Sequence, residues 1–246
     1  MNLQKGSRTD LLNSLFAHWR QHYAEDERAG FHPDGIVDET TFDLQQERVV
    51  FLLKEPNSTD GMYDKYRGVD LRDVYGYRQW TKQCNQNVAR WTQCILDGVV
   101  STSRITGKEA DKQNCRIAIM NFKKISGSGV ANGPAIEKAA WDSRAFIREQ
   151  LKIMAPTVVF ACSRGGSVSK MLFRILHDDF NARTSGKDIW RLDGVTVIPA
   201  YHPSARPLHN VVAIEHLQRL CKKAAVGAYR SRSNATSKSD NPYTIA

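Results

Sequence analysis

The chain has 246 residues, 41% of them hydrophobic, and a formal net charge of +9. This length and apolar content suffice for one sizeable core, so we expect one main domain. No apolar stretch approaches the roughly 20 residues of a membrane helix, and residues 1–10 lack the apolar centre of a signal peptide. The sequence therefore predicts a soluble, cytoplasmic protein, and its positive charge is typical of proteins that bind nucleic acid.

The five cysteines are odd in number and form no Cys-x-x-Cys pair. Zinc and iron–sulfur sites usually rely on such close pairs. We therefore predict reduced cysteines that serve packing, with Cys115 and Cys162 inside strands, and neither a metal nor another cofactor.

The N-terminal part carries apolar residues at helical spacing between Asp10 and Tyr23, which predicts an amphipathic helix packed on the main domain. The segment 31–46 contains the turn signal Pro33-Asp34-Gly35 and is interpreted as a connection. His32 and Asp34 are suited to ligand binding, but a turn with solvated side chains is the simpler interpretation. Residues 1–46 thus form an N-terminal helix and connecting segment.

Four short apolar runs predict strands, and helical patterns alternate with them. The runs are hydrophobic on both faces, as buried parallel strands are. We expect a three-layer α/β/α fold with a central four-stranded parallel sheet over residues 47–226, followed by a disordered polar tail, 227–246. The predicted strands are 48–53, 115–120, 157–162 and 195–199, and the predicted helices are centred on 80–96, 136–154, 168–176 and 211–224.

Three of the strands end in polar tripeptides: Glu55-Pro56-Asn57, Asn121-Phe122-Lys123 and His202-Pro203-Ser204. In an open α/β sheet the ligand crevice lies just outside the carboxyl ends of the strands. An acid, an amide and an imidazole are therefore expected at one edge. The sequence predicts the active site there.

Each of these side chains has a chemical and a structural interpretation. Glu55 can position water or offset positive charge, or pair with a neighbouring cation at the surface. Asn121 can read the edge of a base or satisfy turn backbone. A neutral His202 can donate a hydrogen bond to an oxygen that gains negative charge, although a lone histidine is often structural.

Glycine-bearing loops add weaker signals. Residues 163–167 (Ser-Arg-Gly-Gly-Ser) precede a predicted helix whose N-terminal amides could bind phosphate, while a plain tight turn explains the same pattern. The glycine-bearing loop 126–129 has the same two interpretations, a phosphate contact or a plain tight turn. The irregular stretch 58–77 is either a lid over the crevice or a surface loop anchored by its tyrosines.

The motifs resemble those of the uracil-DNA glycosylase superfamily, whose members combine an acid or amide before a proline, a base-reading asparagine and a His-Pro-Ser loop in this order. The resemblance covers about residues 48–225. Within the superfamily, the sequence around these motifs is similar to a divergent bacterial branch. It depends on three matches: Lys54-Glu55-Pro56-Asn57, Asn121, and His202-Pro203-Ser204-Ala205-Arg206.

The resemblance implies a monomeric DNA-repair enzyme that flips a nucleotide and hydrolyses the N-glycosidic bond of uracil or another deaminated base, with no metal, cofactor or membrane. Glu55 would stabilise the cationic sugar and position water, Asn121 would hold the base, and His202 would stabilise the departing oxygen. The resemblance also implies contacts of Lys54, Asn57 and either Tyr63 or Tyr66 with the base. The residues implied to contact DNA are Ser163, Gly165, Ser167, Ser204 and Arg206. Arg206 would either fill the space of the flipped nucleotide as a wedge or bind a phosphate.

Departures from the family pattern keep other functions open. Glu55 stands where the family has Asp, Asn or Ala, and Lys54 and Asn57 replace the usual neighbours, including the residue that screens out thymine. A nucleic-acid-binding protein that kept the fold without the chemistry is therefore one alternative. A hydrolase of free nucleosides or nucleotides is another.

Overall fold

The computed structural model describes residues 6–56, 68–76, 83–101, 105, 107–127, 132–204 and 210–229. The fold is α/β, built on a six-stranded, mostly parallel sheet. The strands are β1 (Gly35–Ile36), β2 (Val49–Leu53), β3 (Ala118–Asn121), β4 (Val158–Cys162), β5 (Trp190–Leu192) and β6 (Val195–Ala200). Their order in the sheet is β1-β3-β2-β4-β6-β5; the four central strands are parallel, and β1 and β5 pair antiparallel at the two edges.

The predicted four-stranded parallel sheet forms the centre of this larger one, but the prediction that it is complete with four strands is wrong. The edge strands escaped the sequence analysis for physical reasons. Gly35–Ile36 is two residues long, too short for any periodicity, and Trp190–Leu192 is only partly buried, so it lacks the apolar run of a central strand.

Helices cover both faces of the sheet because alternate strand residues point to opposite sides and each side carries its own apolar cluster. One face packs against α1 (Arg8–Gln21), α2 (Glu39–Asp43), α6 (Gly133–Asp142), α7 (Arg144–Met154) and α8 (Ser167–His177). The other face packs against α3 (Leu71–Gly76), α4 (Gln83–Asp97) and α9 (Asn210–Ala224), with α5 (Gly107–Asn114) against α3 and α4. No helix within these described ranges is long and apolar enough to cross a membrane.

The predicted single helix across 136–154 is in fact two helices that meet at Ser143. The Ser143 backbone leaves helical geometry (φ −94°, ψ 11°), and its hydroxyl accepts a hydrogen bond of 3.2 Å from the indole of Trp19. The break between the two helices therefore forms part of the surface against which α1 packs. Cys162 lies in a strand as predicted, whereas Cys115 lies before β3 rather than in it.

The N-terminal helix is an integral part of the core. Leu12, Phe16 and Trp19 of α1 are buried in the same apolar cluster as the sheet residues. The Trp19 ring stacks on that of Phe146 with their centroids 5.3 Å apart. The segment before β2 therefore contributes two helices, α1 and α2, and the strand β1 to this apolar cluster.

Replacing Trp19 with alanine is expected to lower the free energy of unfolding by about 3–5 kcal/mol, because a fully buried ring and its hydrogen bond are lost together. The side chain of Leu44, 80% exposed, gives the matched control, and Leu44→Ala should change stability by less than about 0.5 kcal/mol. Urea titration followed by circular dichroism measures both. Equal effects of the two substitutions would contradict this role of α1.

Candidate functional site

The carboxyl ends of the four parallel strands lie at one edge and in register. Leu53 pairs with Asn121, Leu52 with Ala161, and Cys162 with Ala200, so all four strands reach the same level. Glu55 and His202 each follow this row by two residues. With strands about 4.8 Å apart, the ends of β2 and β6 are separated by roughly 10 Å. This spacing suits a ligand of nucleotide size.

A buried polar network lies beneath the end of β3. The side chains of Asp34 and Lys124 are both fully buried, and the Lys124 ammonium lies 2.6 and 2.7 Å from the two carboxylate oxygens. Gln150 of α7 completes the network, donating to Asp34 Oδ1 at 2.7 Å and accepting from Lys124 Nζ at 2.9 Å. Burial lowers the pKa of Lys124, and the charge of Asp34 opposes that effect.

The same carboxylate fixes Asn121. Asp34 Oδ2 accepts from the Asn121 backbone N–H at 2.7 Å and from its side-chain Nδ2 at 3.3 Å. A carboxylate that already receives an ammonium can only accept, so the amide must turn Nδ2 toward Asp34 and Oδ1 away from it. Oδ1 is buried and has no hydrogen-bond partner within the part of the chain that the structure describes. Such an acceptor is costly to leave unpaired, and a ligand N–H would satisfy it.

Glu55 is held on two sides. Its Oε2 pairs with Lys123 Nζ at 3.1 Å, and its side chain is 9% exposed. On the other side, a Cβ added to Gly127 would lie 2.2–2.5 Å from the carboxylate atoms. Only glycine at 127 leaves room for the carboxylate in this position.

Two contacts keep Gly127 in place. Its backbone N–H donates to the carbonyl of Pro56 at 3.1 Å. The preceding Ser126 contacts His32 Nε2 at 2.7 Å, and His32 Nδ1 faces the carbonyl of Val69 at 3.0 Å. Because a carbonyl only accepts, Nδ1 carries the hydrogen and Nε2 accepts from the serine hydroxyl. Burial lowers the pKa of His32, which agrees with this neutral form.

His202 is a neutral imidazole with one nitrogen already engaged. Its Nδ1 accepts from the Ser204 backbone N–H at 3.2 Å and lies 2.7 Å from the Ser204 hydroxyl. Since Nδ1 accepts, the hydrogen is on Nε2, which can donate to a ligand oxygen. Burial, together with the positive charge of Lys54, lowers the pKa of His202 to about 4.

The loops around His202 are tied to the helices on either side. Asn87 of α4 donates to the carbonyl of Pro203 at 2.6 Å, which anchors the His-Pro-Ser turn. The hydroxyl of Ser163 accepts from the backbone of Val168 at 3.1 Å and so supports the start of α8. Gly165 and Ser167 in the same loop are exposed. Of these loop residues, Ser163 therefore has a structural contact, while Gly165 and Ser167 face solvent.

A pocket of about 370 Å³ adjoins the strand ends on the α6 and α8 side. Gly133 and Ser167, the first residues of the two helices, line it, as do Lys54 and Lys170. Arg174 also lines the pocket and pairs with Glu137. Two helix N-termini and two lysines give this pocket a positive potential.

Several predicted site residues lie outside the described part of the chain: Asn57, Tyr63, Tyr66 and Arg206. Of the predicted disordered tail, 227–246, the first three residues instead form a short helical turn, Gly227–Tyr229, in which Tyr229 is buried. The rest of the tail, from residue 230, lies outside the described part of the chain. Among the described residues, no cluster of three or more His, Cys, Asp or Glu side chains has the arrangement of a metal site.

Sequence reasoning missed residues that shape the site. The interpretation of His32 and Asp34 as solvated turn residues is wrong, since they are 5% and 0% exposed. Gly127 appeared only as part of a glycine-bearing loop. The one available signal was a lysine, Lys124, three residues after the end of β3, because a charge so close to a buried strand requires a partner.

No family model matches this sequence, and none of the curated proteins matches it either. The function must therefore be argued from the site.

Removing the charge of Lys54 should raise the pKa of His202. In Lys54→Gln the imidazolium no longer faces a nearby cation, so protonation becomes easier, whereas Lys54→Arg keeps the charge and should leave the pKa near the wild-type value. Histidine Cε1–H shifts recorded by NMR between pH 3 and 8 measure this. Identical titration of His202 in wild type and Lys54→Gln would contradict this effect of the Lys54 charge on the His202 pKa.

Proposed function

We propose that this protein is a DNA glycosylase of the uracil-DNA glycosylase type, which removes uracil or another deaminated base from DNA by hydrolysing the N-glycosidic bond. The observation that carries the proposal is the buried Asn121 Oδ1, an acceptor fixed by Asp34 and without a hydrogen-bond partner among the residues that the structure describes. The order and identity of the strand-end residues Glu55, Asn121 and His202 support it. The sequence resemblance points to the same activity.

The fixed amide selects for the chemical change that deamination causes. Deamination of cytosine or adenine turns a ring nitrogen that accepts hydrogen bonds into an N–H beside a carbonyl, as in uracil and hypoxanthine. Oδ1 of Asn121 would accept from this N–H, while the second hydrogen on Nδ2 can donate to the carbonyl. Cytosine and adenine would instead place a lone pair against Oδ1. Thymine and guanine also carry the N–H, so other groups of the protein must exclude these two bases.

Glu55 and His202 complement the charges that develop as the bond breaks. The sugar becomes oxocarbenium-like, and the Glu55 carboxylate stabilises this cation and orients the attacking water. The base departs as an anion, and Nε2–H of the neutral His202 donates to its oxygen. A neutral imidazole keeps this donor over the whole physiological pH range, because its pKa lies near 4.

The pocket lined by Lys54 and Lys170 adds a place for the DNA backbone. Its positive potential and its position beside the strand ends suit a phosphate next to the flipped nucleotide. The formal charge of +9 attracts DNA over longer distances.

Oligonucleotides that carry a single uracil, hypoxanthine or xanthine test the proposal directly. We expect the protein to release at least one of these bases, and to cleave the matched cytosine or adenine oligonucleotide at least about 100-fold more slowly. Alkaline cleavage at the abasic site measures release. Salt-sensitive binding without release would favour a non-catalytic DNA-binding protein, and turnover confined to free nucleosides would favour the nucleoside hydrolase.

Substitutions at the site should separate chemistry from folding. Glu55→Gln removes the negative charge, and His202→Gln removes the imidazole donor. Each substitution should lower kcat by about 10²–10³-fold. Gly127→Ala should displace the Glu55 carboxylate and cost about 10²-fold, whereas Gly6→Ala, where an added Cβ has only a 4.0 Å neighbour, should act like wild type. Single-turnover kinetics, with thermal unfolding as the folding control, gives the result. Wild-type rates in Glu55→Gln would refute its role.

A further inference from the structure

Lys123 is a nucleophilic group that the hydrolysis above leaves unused. It ends the tripeptide Asn121-Phe122-Lys123, and its backbone N–H continues the β3 to β2 ladder by donating to the carbonyl of Lys54 at 3.0 Å. Its ammonium lies 3.1 Å from Glu55 Oε2, and its side chain is 23% exposed. The amine is thus placed beside the residue that would face the sugar C1′ atom, and it remains accessible to a ligand.

Base removal leaves a sugar that reacts with amines. The abasic deoxyribose opens to an aldehyde at C1′, and lysine amines form Schiff bases with such carbonyls. Since Glu55 would stabilise positive charge at C1′, its ion-pair partner lies near the same carbon. We propose that Lys123 forms an imine with the abasic sugar and that the protein has a DNA lyase activity, which cuts the strand on the 3′ side of the abasic site.

The steps balance without an added oxidant or reductant. Lys123 passes one ammonium proton to the Glu55 carboxylate, and the neutral amine attacks C1′ to form a C–N bond. The former carbonyl oxygen takes one proton from the attacking nitrogen and one back from Glu55 and leaves as water, which gives an iminium ion and restores the carboxylate. A base, for which the Glu55 carboxylate is placed, removes a proton from C2′. The electron pair moves to form the C2′–C3′ double bond, the C3′–O bond breaks, and the 3′ phosphate leaves. Water then hydrolyses the iminium ion and frees Lys123 from the unsaturated aldehyde.

The neighbouring contacts favour Lys123 over the other lysines of this edge. Lys124 is fully buried and bound to Asp34, so its amine cannot reach a ligand. Lys54 lines the pocket beside α6 and α8, where the DNA backbone is expected. Only Lys123, of these three, pairs with the carboxylate assigned to the sugar.

A duplex with a preformed abasic site tests the lyase separately from base removal. The proposal depends on the proposed function for its natural substrate, but this probe already carries the aldehyde. In the presence of sodium cyanoborohydride, which reduces the iminium ion to a stable amine, the wild-type protein should form a covalent adduct visible on a denaturing gel. Tryptic mass spectrometry should place the modification on Lys123.

Variants make the test specific. Lys123→Arg keeps a cation for Glu55 but its guanidinium does not form the imine, so adduct yield and nicking should fall at least 100-fold while thermal stability is retained. Lys152→Gln removes a lysine that is 79% exposed on α7 and should leave the adduct yield unchanged. Absence of any adduct in the wild-type protein, a modification mapped to another lysine, or a full yield in Lys123→Arg would each overturn the proposal.

The two proposals fail in distinguishable ways. Base release that needs alkali to cut the strand, without an adduct on the preformed site, would refute the lyase and leave the glycosylase standing. Trapping of Lys123 on the preformed site by a protein that releases none of the tested bases would support the lyase and refute the glycosylase.

Discussion

The buried ion pair between Asp34 and Lys124 is the interaction on which the geometry of the strand ends depends. Two opposite charges have left water here, which costs several kcal/mol for each ion unless every donor and acceptor finds a partner. Asp34 satisfies this requirement with Lys124, Gln150 and Asn121 together. Any shift of one partner leaves a buried charge incompletely paired. The end of β3 therefore has a single low-energy arrangement.

The segment 121–127 carries this constraint to the Glu55 carboxylate. It is fixed at Asn121 and Lys124 by Asp34, and at Ser126 by His32. Lys123 lies between the fixed residues Asn121 and Lys124, and Gly127 directly follows the fixed Ser126. Both Lys123 and Gly127 contact Glu55. One short segment thus orients the amide that would read the base and also confines the acid that would face the sugar. Pre-organisation of this kind lowers the cost of reaching a reactive geometry.

Local sequence patterns predicted the features that depend on residues close together in the sequence. Continuous apolar runs such as 49–53 and 158–162 identified the central strands, and the polar residues that follow them identified the edge where Glu55, Asn121 and His202 lie. The break at Ser143 escaped because apolar spacing continues across it. The burial of Asp34 escaped because its partners are 87 and 90 residues away. A Pro-Asp-Gly turn reads the same whether its carboxylate faces water or a buried lysine.

The distance along the chain between Asp34 and Asn121 also orders events during folding. Contacts between residues so far apart form after local helices, because closing a long loop costs more entropy. The parallel strands also join residues that are far apart in sequence, such as Val49 and Val158, and the amide acquires its orientation only when Asp34 arrives. A partly folded chain that has its helices but lacks the Asp34 contact would thus present an unoriented amide at the end of β3. The fixed orientation of Asn121 belongs only to the completely folded molecule.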